Sequence, residues 1–160
     1  KDEIQDIKQL IKELFDQYLS LADKHKDQLL PGYTHLQIAM PSSFGLWFSA
    51  YAEMLADDLL LLNAVNTICD QNPLGSAAGY GSSFPIDRDD TTAALGFNTL
   101  KFNVVAAQMS RGKLEKNLAQ AIGNLAGTLS RFSMDVCLYM IFVLLQLVEI
   151  VIEVSYTRQF

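Results

Sequence analysis

Residues 113–136 read KLEKNLAQAIGNLAGTLSRFSMDV, and the spacing of their apolar side chains decides the fold class. Leu114, Leu118, Ala121, Leu125, Leu129, Phe132 and Val136 recur every three or four residues for more than three heptads, while Lys116, Asn117, Gln120, Asn124, Thr128 and Arg131 take the other faces. A helix turns once in about 3.6 residues, so this rhythm gathers the apolar groups into one stripe, as in a bundle or coiled-coil helix. Gly123 and Gly127 flank the small Ala126 side of that helix. Each glycine costs about 1 kcal/mol in helix propensity, which predicts that a neighbouring backbone packs closely there. The helix is expected to start near Asn103.

The same rhythm occurs twice upstream. Ile4, Ile7, Ile11, Leu14, Tyr18 and Leu21 form one stripe, with Asp2 placed to cap its start and Pro31-Gly32 ending the pattern. Ser42 and Ser43, both capping types, precede Phe44, Trp47, Phe48, Tyr51, Leu55, Leu59 and Leu62, a second helix with a heavy aromatic face. The first function-bearing loop lies between these helices and ends near Pro41. A second loop spans residues 70–87, DQNPLGSAAGYGSSFPID, with glycines at 75, 79 and 81 and no periodicity. Loops longer than about 12 residues are often functional. Asp87 is placed to cap a short helix running to Leu95 and ended by Gly96. No stretch alternates as a strand does, although the sequence after Met140 is rich in β-branched residues. The expected fold is all-α: one domain over residues 1–160, long antiparallel helices in a bundle, and two functional loops.

Composition narrows the partners. The 160 residues are 50% hydrophobic and carry a net charge of −6, with a mean hydropathy of +0.16. That is rich in apolar surface for a soluble chain and predicts closure by other chains, hence a homo-oligomer. An acidic chain without a Lys/Arg stripe is a poor ligand for a phosphate backbone, so nucleic acid is not expected. The longest unbroken apolar run, residues 136–145, is shorter than the ~20 residues a bilayer-spanning helix needs, so no membrane span is expected. Cys69 and Cys137 lie far apart and read as free, inert thiols of a reducing cytoplasm.

Few residues invite chemistry. Glu53, Asp57 and Asp58 resemble paired catalytic carboxylates, but acidic groups opposite an apolar stripe are usually a solvated face. The glycine-rich loop is neither a P-loop nor a dinucleotide fingerprint: no strand precedes it and no Gly-Lys-Ser/Thr closes it. With His25 and His35 as the two histidines and no cysteine at ligand spacing, neither a metal nor a cofactor is implied. His25 sits at the end of a polar helix and reads as solvated. His35 lies in a loop between long helices, beside Thr34 and Gln37, whose side chains suit a carboxylate or amide.

The stretch PGYTHLQIAMP, residues 31–41, resembles the Thr-His loop of the fumarase/aspartase superfamily, and its tyrosine is similar to that of the argininosuccinate lyases. Residues 72–97, with the PLGS turn and the Asp87-Arg88 pair, and the long helix after them resemble further stretches of that family, so that the likeness covers residues 1–140. The resemblance implies a cofactor-independent β-elimination that cleaves argininosuccinate to arginine and fumarate in cytoplasmic arginine biosynthesis. It places His35 at the active site as an acid/base or supporting residue, and Thr34 and Gln37 as donors to a substrate carboxylate. Arg88 matches a family arginine near the site, which either binds a carboxylate or holds the loop.

The same resemblance marks what these residues lack. The family carries an upstream Ser-x-Arg-Asn-Asp segment and a downstream Gly-Ser-Ser-x-Met-Pro-x-Lys-x-Asn loop whose serine is assigned as the base. Residues 81–85, GSSFP, imitate the start of that loop in another region, without its lysine and asparagine. Residues 141–160 diverge from the family pattern. In the family, three regions from three subunits of a homotetramer build each site. These residues are therefore expected to be a truncated part of the bundle that supplies the Thr-His loop, inactive alone; the competing expectation is a helical assembly protein without chemistry.

Overall fold

The computed structural model describes the backbone of residues 1–157 and the side chains of residues 1–142. The chain forms two compact units, Lys1–Leu125 and Ala126–Phe160. The first is built on a helical hairpin of α1 (Asp2–Lys24) and α2 (Phe44–Cys69). Ile4, Ile11, Tyr18 and Ala22 of α1 are buried, as are Tyr51, Ala52, Leu55, Leu62 and Val65 of α2. Leu55 is fully enclosed, a burial that contributes about 2–3 kcal/mol. Tyr18 meets Phe48 and Tyr51 at ring separations of 6.3 and 6.5 Å, the aromatic face anticipated for α2. Enclosure of the Tyr18 phenol raises its pKa, because the phenolate would lose water.

The two ends of this hairpin are tied differently. At one end Lys1 Nζ lies 2.7 Å from Asp70 Oδ1 and also donates to the Gly96 carbonyl. At the other, the Phe44 amide donates to the Gln28 carbonyl. There Gly45 lies against α1 so closely that a Cβ would stand 2.7 Å from Lys26 Cα and 2.9 Å from the Ala22 carbonyl oxygen. The Ser43 hydroxyl caps α2 by accepting from the Leu46 amide, as its residue type predicts. Asp2 does not cap α1: Lys1 occupies the N-cap without a side-chain bond, and Asp2 stands inside the first turn, where its charge favours the helix dipole.

The mass of the chain is helical, but the expectation of no strands is corrected. Leu29–Thr34 (β1) and Gln37–Ser43 (β2) form an antiparallel hairpin where a strandless loop was expected. A second, very short ladder pairs β3 (Gln71–Asn72) with β4 (Thr99–Leu100) in parallel. Between them lie the long loop and α3 (Arg88–Ala94), capped by the Asp87 carboxylate through the Asp89 and Asp90 amides.

The long helix does not begin at Asn103. That residue caps the short α4 (Val104–Met109), and Gly112, with φ of 78°, breaks the path before α5 (Lys113–Thr157). The second unit is α5 from Ala126 onward, on which Thr128 is buried and Met134 and Met140 are exposed. A Cβ added at Gly123 or Gly127 would meet nothing within 4 Å, so the close neighbour expected there is not found among the described residues. Among the described residues, Lys113–Phe142 is long and apolar enough to cross a membrane by length and composition, a test that a bundle helix also passes.

Candidate functional site

Thr34, His35 and Gln37 meet at the tip of the β-hairpin. Thr34 pairs with Gln37 across the ladder, which leaves His35-Leu36 as a two-residue turn. Both turn residues have positive φ, 51° at His35 and 62° at Leu36. Two successive residues in the left-handed region define the mirror-image turn that matches the twist of paired strands, and Asn-Gly usually fills it. A histidine and a leucine hold it here at a cost of about 1–2 kcal/mol each. The ladder also shifts register beside Gly32: Gly32 faces Met40 while Tyr33 faces Ile38, so Ala39 is extra and the strand is bulged.

The tip is open. Thr34, His35, Leu36 and Gln37 are all exposed, Leu36 by 66%. Ile38 and Met40 continue the apolar surface of β2 into solvent. A hydroxyl, an imidazole and a carboxamide thus stand side by side on a backbone fixed by its ladder. Together they offer hydrogen-bond donors to a carboxylate and, in the imidazole, a ring that can also accept.

Arg88 is elsewhere and otherwise engaged. Its guanidinium donates through Nε to the Leu74 carbonyl at 2.8 Å, through one terminal nitrogen to Phe102 at 3.1 Å and through the other to Lys101 at 2.8 Å. Of the two roles open to it, the structure displays the one that holds the loop. Its Asp87 neighbour caps α3 instead of pairing with it. The hairpin precedes α2 and the Arg88 clamp follows it. The 26 residues of α2 span about 39 Å, so the two lie toward opposite ends of the unit.

Sequence reasoning missed the polar hub of the second loop. Asn72 is wholly enclosed; its amide donates to Thr92 Oγ1 at 2.8 Å and its carbonyl accepts from the Leu74 amide at 3.0 Å. Gln108 bonds Ser76 Oγ at 2.9 Å and fixes the loop from α4. The signal was an asparagine directly before Pro73, where a side chain can replace a backbone partner. His25, at the C-cap of α1, meets Gln28 through Nδ1 at 2.9 Å, as befits a helix-end residue. Burial pushes the Cys69 thiol up, which leaves it little thiolate, while Cys137 is exposed.

Known proteins are similar to this chain in sequence and fold. An argininosuccinate lyase of Parabacteroides distasonis is 57% identical over 139 residues, which are 87% of this chain and 31% of that enzyme. The argininosuccinate lyase of Phocaeicola vulgatus is 55% identical over 137 residues, 86% of this chain and 31% of the enzyme. The chain therefore spans about a third of the length of the curated relatives it matches. Among solved structures, EDDS lyase in complex with formate superimposes with a TM-score of 0.82 at 25% identity, over 86% of this chain and 28% of that one. The profile of a family described as lyase matches residues 1–155, and with its helical hairpin and Thr-His turn the chain belongs to that family.

Proposed function

We propose that these residues supply the Thr-His loop of an argininosuccinate lyase, an enzyme of arginine biosynthesis in the cytoplasm that eliminates fumarate from argininosuccinate and releases arginine. The observation that carries the reading is the open, conformationally strained tip on which Thr34, His35 and Gln37 stand together. In the elimination, a proton leaves the succinyl carbon next to a carboxylate and the bond to the guanidino nitrogen breaks. The carbanion-like state is reachable only where donors hold the charge that grows on that carboxylate. Thr34 and Gln37 are assigned to that task, and His35 to proton exchange or support of the departing nitrogen. Arg88 is assigned to holding the second loop, and no metal or cofactor takes part.

The reading includes a homotetramer in which other copies close the tip. It is supported by the exposed Leu36, Ile38 and Met40 and by the open space beside Gly123 and Gly127. A bundle suits α5 better than a bilayer, since Arg131 and Asp135 lie well inside its apolar stretch and each costs about 2.5–3.5 kcal/mol at a bilayer centre. The 160 residues contain no loop of the serine type assigned as base, so the chain alone should release no fumarate from argininosuccinate. Refolding it with a full-length relative disabled at its own Thr-His loop should restore mixed sites, read as fumarate absorbance. Robust turnover by the chain alone, or rescue that persists with His35→Asn, would overturn the assignment.

A further inference from the structure

A cleft of about 370 Å³ opens where the end of α2, the β3-β4 ladder and the start of α5 meet. Its wall includes Lys101, Arg111 and Lys113, with Glu115 as the one carboxylate. In a chain of net charge −6, this is a local excess of positive charge. Among the described residues, ion pairs engage Lys1, Lys12 and Lys26 but none of these three cations. Arg111 also borders the neighbouring cleft formed by residues 73–77 with Ala107 and Gln108, so one residue lines both openings.

We propose that this cleft binds a small dianion, either a dicarboxylate or phosphate. Three cations against one carboxylate leave a charge of two to be balanced, and the volume suits a small metabolite, not a polymer. The walls are set before a ligand arrives. The Lys101 amide is bonded to the Asn72 carbonyl at 2.9 Å, the Lys101 carbonyl accepts from Arg88, and Gln71 is held in the short ladder. Like charges gathered without partners repel one another, and an oxyanion among them removes that repulsion while gaining charge-assisted hydrogen bonds. Arg111 offers a planar fork to two oxygens of one ligand, and Lys101 and Lys113 act as point charges beside it. The cleft borders Ile68 in the last turns of α2, whereas the Thr-His tip lies beyond the first, so this binding does not rest on the lyase reading.

Calorimetric titration of the 160-residue chain with sodium succinate and, separately, inorganic phosphate tests the proposal, with sodium chloride at matched ionic strength as blank. Saturable binding of at least one anion is expected, weakening with added salt. Arg111→Gln should weaken it about tenfold or more and Lys113→Gln less, with helical circular dichroism unchanged. Lys12→Gln, which changes the same charge on α1, should have no effect. The tighter anion identifies the ligand source. Absence of saturable heat from both anions, or equal weakening by Lys12→Gln and Arg111→Gln, overturns the proposal.

Discussion

The two loops of this chain solve opposite problems. In the second, Asn72 and Arg88 are spent on the fold: they hold one another's surroundings through Thr92, Leu74, Lys101 and Phe102. In the first, the backbone does the holding, through a ladder and a tight turn, and leaves Thr34, His35 and Gln37 exposed. The contrast teaches that a conspicuous polar residue in a loop is a candidate for chemistry only once its hydrogen bonds have been traced. By that test the hairpin leaves candidate groups exposed, and Asn72 and Arg88 of the long loop serve as scaffolding.

The comparison predicts that changes to the polar side chains of the tip alter rate, and that changes to the hub or to the strained backbone of the turn alter stability. The largest effect is expected from His35→Asn in a site completed by a full-length relative, a fall in fumarate release of roughly 10²–10⁴. Asparagine enters the left-handed region readily, so the turn should survive and circular dichroism should not change. Asn72→Ala removes the buried bond to Thr92 Oγ1 and the part-buried one to the Leu74 amide, and should cost about 2–3 kcal/mol in urea unfolding. Leu36→Gly should run the other way. Relief of the positive φ outweighs the added freedom of the unfolded chain, so a gain of about 0.5–1 kcal/mol is expected from the same measurement.

The smallest effect is a pH dependence. The Lys1 ammonium and the Asn98 amide bonded to Asp70 hold its carboxyl below the ordinary carboxylate range. A depressed folded pKa means that this tie stabilises fully above the unfolded value and is lost as pH falls through the folded one. Acid unfolding of Asp70→Asn should therefore begin from lower stability at neutral pH and show a shallower decline in acid. An unchanged acid limb would show that the Lys1 end of the helical hairpin contributes nothing measurable.

The helices were legible because their apolar stripes face a partner within the chain: Ile4, Ile11 and Tyr18 against Tyr51, Leu55 and Leu62. The β-hairpin was not, for a reason that lies in its surroundings. Gln37–Pro41 are all exposed, so β2 packs neither face on a core over that stretch and nothing selects alternation. Its His-Leu turn also lacks the Asn-Gly that announces such turns. The grouping of the candidate residues Thr34, His35 and Gln37 was legible, because turn partners are close in sequence. Arg88 was legible as a residue with a task, but the choice between substrate and scaffold depends on three carbonyls that no sequence pattern marks.

Gly45 gives the helical hairpin a mechanical meaning. It sits two residues after β2 ends, and its missing side chain lets α2 touch the backbone at Ala22 of α1 and at Lys26 just beyond the end of that helix. The β-hairpin rises from that point as an arm about 20 Å long, six residues at roughly 3.3 Å each. Relieving a 2.7 Å clash would move the pivot by several tenths of an ångström. An arm of that length multiplies any rotation at its foot, so the aim of His35 is set by an atom that is absent at the fulcrum.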